Sequence, residues 1–310
     1  MQLVRQNEKK WTPRCRAVLT VLLVAALGSA CAAQSSAPPV GAHGAHGPAG
    51  KAKPKPGPAG SLSAYAEKVK RTQAQRAAAA AKWGLTRTPL AAPPPPAAKP
   101  EITTRKGFEV EDGESLPPVF TTVPVKERIV FLTIDDGAEK DPDLLQMMSE
   151  LQIPYSAFLS DYVISDNYGY FKKMQDRGVS LHNHTLNHRY LPGLSYSEQE
   201  REICDQQTKL EERYGKRPRL FRPPYGNYNG DTLRVAQSCG VTAVPLWAAE
   251  AFPDHMEWRE ADQDLHPGDI ILTHFRGRAE WEGSMPDMIR RVMQTVTDKG
   301  YAVAKLEDYV

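Results

Sequence analysis

From residue 128 onward the chain repeats one pattern: a short, nearly unbroken apolar run, a polar cluster, then a longer stretch with apolar positions three and four apart. Residues 128–134 open it, with Ile129, Val130, Phe131 and Leu132 in succession. Such a run predicts a strand buried on both faces, since a half-exposed strand would alternate with polar residues. Further strands are predicted at 155–159, 179–181, 220–221, 243–247, 269–273 and 301–304, and helices at 141–151, 167–177, 195–214, 231–239 and 286–299. Asp141 precedes Pro142 as a helix cap, and Ser195 and Ser197 ahead of Glu198 and Glu200 offer a capping box. Strands alternating with helices predict an α/β body, barrel-like, with about seven parallel strands.

The first hundred residues read differently. A basic stretch ends at Arg16, and an apolar run follows from Ala17 to Leu27. A helix of that length rises about 16 Å, too short for a hydrocarbon core of about 30 Å, so residues 1–31 read as an export signal. The run ends in Leu27-Gly28-Ser29-Ala30-Cys31, similar to a bacterial lipobox with Cys31 as the lipidated residue. Plain secretion after cleavage is the alternative. Residues 32–60 are rich in Pro, Gly and Ala and read as a disordered linker, with His43 and His46 in a flexible spacer. Residues 61–84 form an Ala- and Lys-rich helical stalk capped by Ser61 or Ser63, either solvated or packed on the body. Residues 85–106 form a Pro-rich linker, and the folded body is expected over 107–310.

Charge follows the same division. Residues 32–100 carry ten Lys and Arg against one acid, whereas residues 101–310 carry 24 bases and 35 acids. An acidic body argues against a nucleic-acid partner. Membrane contact is expected only through a lipid anchor, and the expected state is a monomer at the outer face of the membrane or secreted. Export also places Cys204 and Cys239 in an oxidising setting. They lie on consecutive predicted helices and either form a bridge or remain buried thiols.

Polar clusters fall at the ends of the predicted strands, where a parallel α/β body gathers its chemistry. The first is Thr133-Ile134-Asp135-Asp136-Gly137. Neighbouring side chains of a strand point opposite ways, so the two acids can take different roles, although Asp-Asp-Gly is also a common turn. The second carries His182, His184 and His188; a spacing of four would place His184 and His188 on one face of a helical turn. With one aspartate they offer a three-ligand metal site, leaving the other aspartate as a base. The third, Phe221-Arg222-Pro223-Pro224-Tyr225-Gly226, holds Arg222 and the Tyr225 amide on a stiff backbone. The fourth ends in His274, a candidate proton donor.

In this order and spacing the four clusters resemble the NodB-like polysaccharide deacetylases, of the carbohydrate esterase family 4 type. The likeness covers roughly residues 125–310 and implies a distorted (β/α) barrel. It implies that Asp135 is the catalytic base and that Asp136, His184 and His188 hold a divalent metal: zinc, or else cobalt, nickel or manganese. It implies that Arg222 orients the base, that the Tyr225 amide holds an oxyanion, and that His274 is the general acid. Pro224, Trp247 and Leu272 would line the acetyl pocket. The family's Asp-Trp pair is not seen after Trp247; Glu257, with Trp258 beside it, or else Glu250 is the candidate for the carboxylate that tunes His274. The implied partner is an acetylated polysaccharide, and the implied reaction is N-deacetylation of wall peptidoglycan or a chitin-like chain. An O-acetyl esterase acting on a polymer such as xylan, and a catalytically silent wall-binding protein, are the competing readings.

Overall fold

The computed structural model describes residues 58–310. The expected export signal, Cys31 and most of the 32–60 linker lie outside the described residues. In chain order the helices are α1 (Pro58–Lys82), α2 (Pro142–Leu151), α3 (Asp161–Ile164), α4 (Tyr168–Asp176), α5 (Tyr196–Glu200), α6 (Gln206–Tyr214), α7 (Gly230–Ser238) and α8 (Met285–Asp298). The strands are β1 (Val119–Phe120), β2 (Ile129–Asp136), β3 (Ser156–Leu159), β4 (Ser180–Asn183), β5 (Val244–Pro245), β6 (Ala249–Ala251), β7 (Met256–Trp258), β8 (Ile270–His274) and β9 (Ala302–Ala304).

Among the described residues, one seven-stranded sheet runs β4-β3-β2-β8-β6-β7, with β9 also pairing with β2. Its ladders are parallel except β6 with β7, which is antiparallel. Both faces of β2 are covered, as its unbroken apolar run requires. Val130, Leu132 and Ile134 pack among residues of α2, α4 and α8, including Leu144, Phe171 and Ile289. Ile129 and Phe131 face inward onto Phe158, Leu220, Ile270, Ala304 and Tyr309. The body is thus the expected α/β barrel, and it is a distorted one. Residues 220–221 make only single bridges, Phe221 to Asn183 and Leu220 to Ala243, instead of a full strand. Residues 243–247 shorten to β5, which pairs with β1 outside the main sheet.

Three sequence expectations change. Helix α1 begins at Pro58, so Ser61 and Ser63 lie within it rather than capping it. It packs on the body: Ala79 and Ala80 are buried, and Arg76 Nε donates to the carbonyl of Leu151 at 2.9 Å. The 85–106 stretch is not a free spacer either. Leu90 bridges to Ala302, Arg105 N donates to Val119 O at 2.8 Å, and Ile102 packs on the inner cluster. Packing onto the body therefore begins well before residue 107, because proline-rich backbone that cannot form a ladder can still cover apolar surface.

The 195–214 helix is capped by Ser195 and Glu198 as expected, but it is broken by a π turn over Arg201–Asp205. The wider turn turns backbone carbonyls toward β4 and the loop after it: Asn183 Nδ2 donates to Ile203 O and Leu186 N to Glu202 O. Within this turn Cys204 is disulfide-bonded to Cys239, which closes the C-terminus of α7.

Candidate active site

Asp135 and Asp136 end β2 at the C-terminal edge of the sheet. Asp135 continues the inward face of Phe131 and Thr133, and it meets Arg222 there. The Arg222 guanidinium is fully buried and its Nη1 donates to Asp135 Oδ1 at 2.7 Å and to Thr133 Oγ1 at 2.9 Å. Its Nε donates to Pro245 O at 2.8 Å, and its plane sits 4.3 Å from the Phe158 ring. A planar fork stacked on a ring and held by three acceptors fixes the carboxylate it faces. Burial pushes the Asp135 carboxyl up, against the opposing pull of Arg222 and His184.

Asp136 leaves the extended region at φ 77°, and Gly137 follows at φ 102°. A side chain at Gly137 would strike Ile164 and Phe171, so the glycine serves both the turn and the close packing of α3 and α4. The bend aims Asp136 Oδ1 at His184 Nε2, 3.4 Å away, and at His188 Nε2, 3.3 Å away. Burial raises the Asp136 carboxyl, but His184, His274 and His188 outweigh it and hold the group below the carboxylate range.

His184 and His188 do not share a helical turn. Thr185 and His188 both adopt left-handed backbone, at φ 69° and 54°, in a loop after β4. That loop is tied down at its centre. Asn187 N and Nδ2 both donate to the buried Glu202 carboxylate, and Thr185 Oγ1 accepts from His188 N. His184 Nδ1 lies 2.7 Å from Arg222 O, which fixes it as the protonated nitrogen and leaves Nε2 as a ligand. Among the described residues, four of the seven non-glycine residues with positive φ are at this site: Asp136, Thr185, His188 and Tyr225. Left-handed backbone at non-glycine residues is disfavoured, and its concentration at one place marks a site that the surrounding packing enforces.

One ligand atom each from Asp136, His184 and His188 lie within 4.8 Å of one another. Asp136 Oδ1 is buried with no hydrogen-bond donor among the described residues. A buried carboxylate oxygen without a donor, converging with two imidazole nitrogens, suits a divalent cation with open coordination positions.

Across β2, β8 brings His274 opposite Asp135 in register. Its Nδ1 is 3.4 Å from Glu250 Oε1 on the neighbouring β6. Burial lowers the His274 imidazole to about 4 and raises the Glu250 carboxyl to about 7, the latter with help from Glu257 and Asp135. Of the two candidate carboxylates, Glu250 is therefore the one at His274. Glu257 is its cross-strand partner on β7, and its half-exposed side chain reaches His255 instead. Leu272 is buried in β8 beside Glu250, and Pro224 is buried at the start of the turn that presents Tyr225 at φ 60°. Trp247 sits behind this turn, against the Gly226 backbone and near Arg222 and Arg259.

The aromatic side chain at His274 is Trp281, whose ring meets the imidazole edge-on at 6.5 Å. Neither it nor Tyr162, which lies 6.3 Å from His188, stood out in the sequence. Arg276 Nη2, 3.6 Å from Asp136 Oδ2, was also missed, although its place two residues after His274 was a usable signal. Glu202 carried none, since it lies inside a helical pattern and reaches the loop only through the π turn.

Known proteins share this arrangement of chain. Residues 122–244 match the family model described as polysaccharide deacetylase. An uncharacterised Streptomyces coelicolor protein is 40% identical over 203 residues, covering 65% of this chain and 81% of its own. A Bacillus cereus protein named peptidoglycan-N-acetylglucosamine deacetylase is 29% identical over 166 residues, covering 50% of this chain and 76% of its own. In fold, the chain is similar to a family 4 carbohydrate esterase pseudoenzyme from Bacillus anthracis, with a TM-score of 0.54 at 19% identity, covering 65% of this chain and 72% of that one. With the matched segment and the extended likeness to the Streptomyces protein, the chain belongs to the polysaccharide deacetylase family.

Proposed function

We propose that this protein is an exported, metal-dependent hydrolase that removes N-acetyl groups from an N-acetylglucosamine-containing polysaccharide of the cell wall or of chitin-like type. The observation that carries the reading is the buried pairing of Asp135 with Arg222 beside the convergent Asp136, His184 and His188. A divalent metal on these three ligands, zinc in the first instance, would supply Lewis acidity to a water and an acyl carbonyl. Asp135, oriented by Arg222, takes the proton of the attacking water. The Tyr225 backbone N–H donates to the oxyanion that forms on the acyl group. His274 gives a proton to the departing amine, which cannot leave as an anion, and Glu250 holds the imidazole in place. Leu272 and Pro224 close the space around the acetyl methyl group.

The wall substrate is supported by the name of the Bacillus cereus relative. Export rests on residues 1–31, with Cys31 as the candidate lipid anchor, and the working unit is taken as a monomer. The competing O-acetyl esterase reading draws on the lowered His274, because an alkoxide needs less help from an acid than an amine does. Acetate release from N-acetylglucosamine oligomers and from acetylated xylan, with zinc added at one per chain, separates these readings. No acetate from either polymer would sink both and leave the silent wall-binding protein. Asp135→Asn should abolish turnover while the protein keeps its metal; loss of the metal instead would exchange the roles of the two aspartates.

A further inference from the structure

Of the histidines clustered at 182, 184 and 188, His182 has no part in the metal site. It lies within β4 and faces the inner cluster, its ring 5.1 Å from that of Phe158. Its Nε2 is 2.7 Å from Glu307 Oε1, which also accepts from Ser156 Oγ at 2.6 Å. Burial opposes the Glu307 charge, but the hydrogen bonds from His182 and Ser156 hold the carboxyl at about 2. A carboxylate can only accept, so His182 Nε2 carries the proton and Nδ1 is left as an acceptor. Among the described residues, neither His182 Nδ1 nor Glu307 Oε2 has a hydrogen-bond partner, and both atoms are buried. Two such atoms side by side are uncommon.

Both residues line a cavity of about 440 Å³, the size of a small-molecule site. It lies beside residues 178–180 at the start of β4 and beside residues 216–220, and none of Asp135, Asp136, His184, His188, Arg222 or His274 lines it. The body is acidic, with 24 bases against 35 acids over residues 101–310. Here the balance reverses. Lys99, Lys216, Arg217, Arg219 and Lys305 line the cavity, and among the described residues Glu307 is the one acidic side chain that does. Arg217 is paired with Glu211, and Lys99 donates to Glu307 O and Val310 O. Lys216 and Arg219 are exposed, and their side chains have no partner among the described residues.

We propose that this cavity is a second binding site, for a small polyol or sugar phosphate, with hydroxyls directed to His182 and Glu307 and the phosphate to Lys216 and Arg219. The buried end offers acceptors only, so it takes hydroxyl donors and repels an anion placed against Glu307. The exposed end offers unpaired cations, which hold a phosphate through charge-assisted hydrogen bonds. Neither an uncharged polyol nor a bare anion satisfies both ends. Val179, Leu181 and Leu220 also line the cavity and suit the carbon skeleton.

The test is calorimetric titration of the full chain, at pH 7 and low salt, with glycerol phosphate, propyl phosphate, inorganic phosphate and glycerol. Glycerol phosphate should bind saturably and about tenfold tighter than propyl phosphate, which keeps the anion and lacks the hydroxyls. Lys216→Gln combined with Arg219→Gln should weaken glycerol phosphate about tenfold, leaving thermal unfolding and acetate release unchanged. Propyl or inorganic phosphate binding as tightly as glycerol phosphate would overturn the assignment of hydroxyls to His182 and Glu307. Unchanged affinity in the double variant would move the phosphate elsewhere, the zinc site included, and would sink the proposal. So would the lack of saturable binding below about 10 mM, which would leave His182 and Glu307 as a structural pair under a solvated basic rim. Binding is read without acetate release, so this site stands or falls separately from the deacetylase reading.

Discussion

Replacing Arg222 with methionine removes the guanidinium that faces Asp135 while keeping most of the apolar stem over Phe158. The pair is fully buried at 2.7 Å, and breaking a buried pair from one side costs about 3–5 kcal/mol, because the other charge stays without its partner. The same change acts on the base. Burial already pushes the Asp135 carboxyl up, and an adjacent opposite charge lowers an aspartate by about one to three pH units. Its loss should therefore move the acid limb of the acetate-release profile upward by that amount. Urea unfolding measures the first effect, and the pH profile from 5 to 9 measures the second, which a purely structural role would leave in place. Arg222→Lys should recover part of the acid limb but little of the stability, since an ammonium cannot reach Asp135, Thr133 and Pro245 together as the fork does. An Arg222→Met protein with the original acid limb and turnover within about threefold of the parent would refute the argument that this arginine sets the base.

Glu250→Gln should separate stability from activity. The Glu250 carboxyl is raised from 4.5 to about 7, so folding loses stability as pH rises through that window, by about 3 kcal/mol in all. The glutamine protein should unfold later than the parent at pH 8 and no later at pH 4, while releasing acetate more slowly; equal stability at pH 8 would contradict the buried charge. Glu307 behaves in the opposite sense. Burial works against its charge, but hydrogen bonds from His182 and Ser156 hold it at about 2, below its ordinary 4.5. It stabilises the fold above pH 4.5 and loses that contribution as pH falls toward 2, so Glu307→Gln should cost about 3 kcal/mol at pH 7 and nearly nothing at pH 2 in denaturant titrations. Glu202→Ala removes both anchors of Asn187 and should weaken zinc about tenfold in a chelator competition, with unchanged affinity counting against the role of the π turn.

Much of this architecture is legible without coordinates because it depends on local pattern. The unbroken run from Ile129 to Ile134 needs cover on both faces, and the Pro142 and Ser195 signals begin their helices where the caps allow. Short paired elements leave no such signal. Residues 249–251 and 256–258 become β6 and β7 only because β8 supplies an edge for the first and the first supplies one for the second. The 85–106 stretch looks like a spacer by composition, yet it covers apolar surface that only the assembled body presents.

The same division runs through the site. The sequence by itself nominated the residues that the structure brings together: two adjacent acids, two histidines four apart, an arginine ahead of two prolines, and a histidine after an apolar run. Their spacing does not contain their geometry. His184 and His188 converge through left-handed backbone at Thr185 and His188, not through a helical turn, and that conformation persists because Glu202, fifteen residues beyond Asn187, holds the loop. The choice of Glu250 over Glu257 is likewise a matter of strand direction, since an antiparallel pair buries one member against His274 and turns the other outward. Tyr162 comes near His188 from the short α3, and Trp281 comes near His274 from the segment between β8 and α8, positions that only the assembled sheet supplies. Side-chain identity is fixed locally, one residue at a time, whereas burial, backbone strain and the sharing of a proton depend on groups distant in sequence, and only folding brings those together.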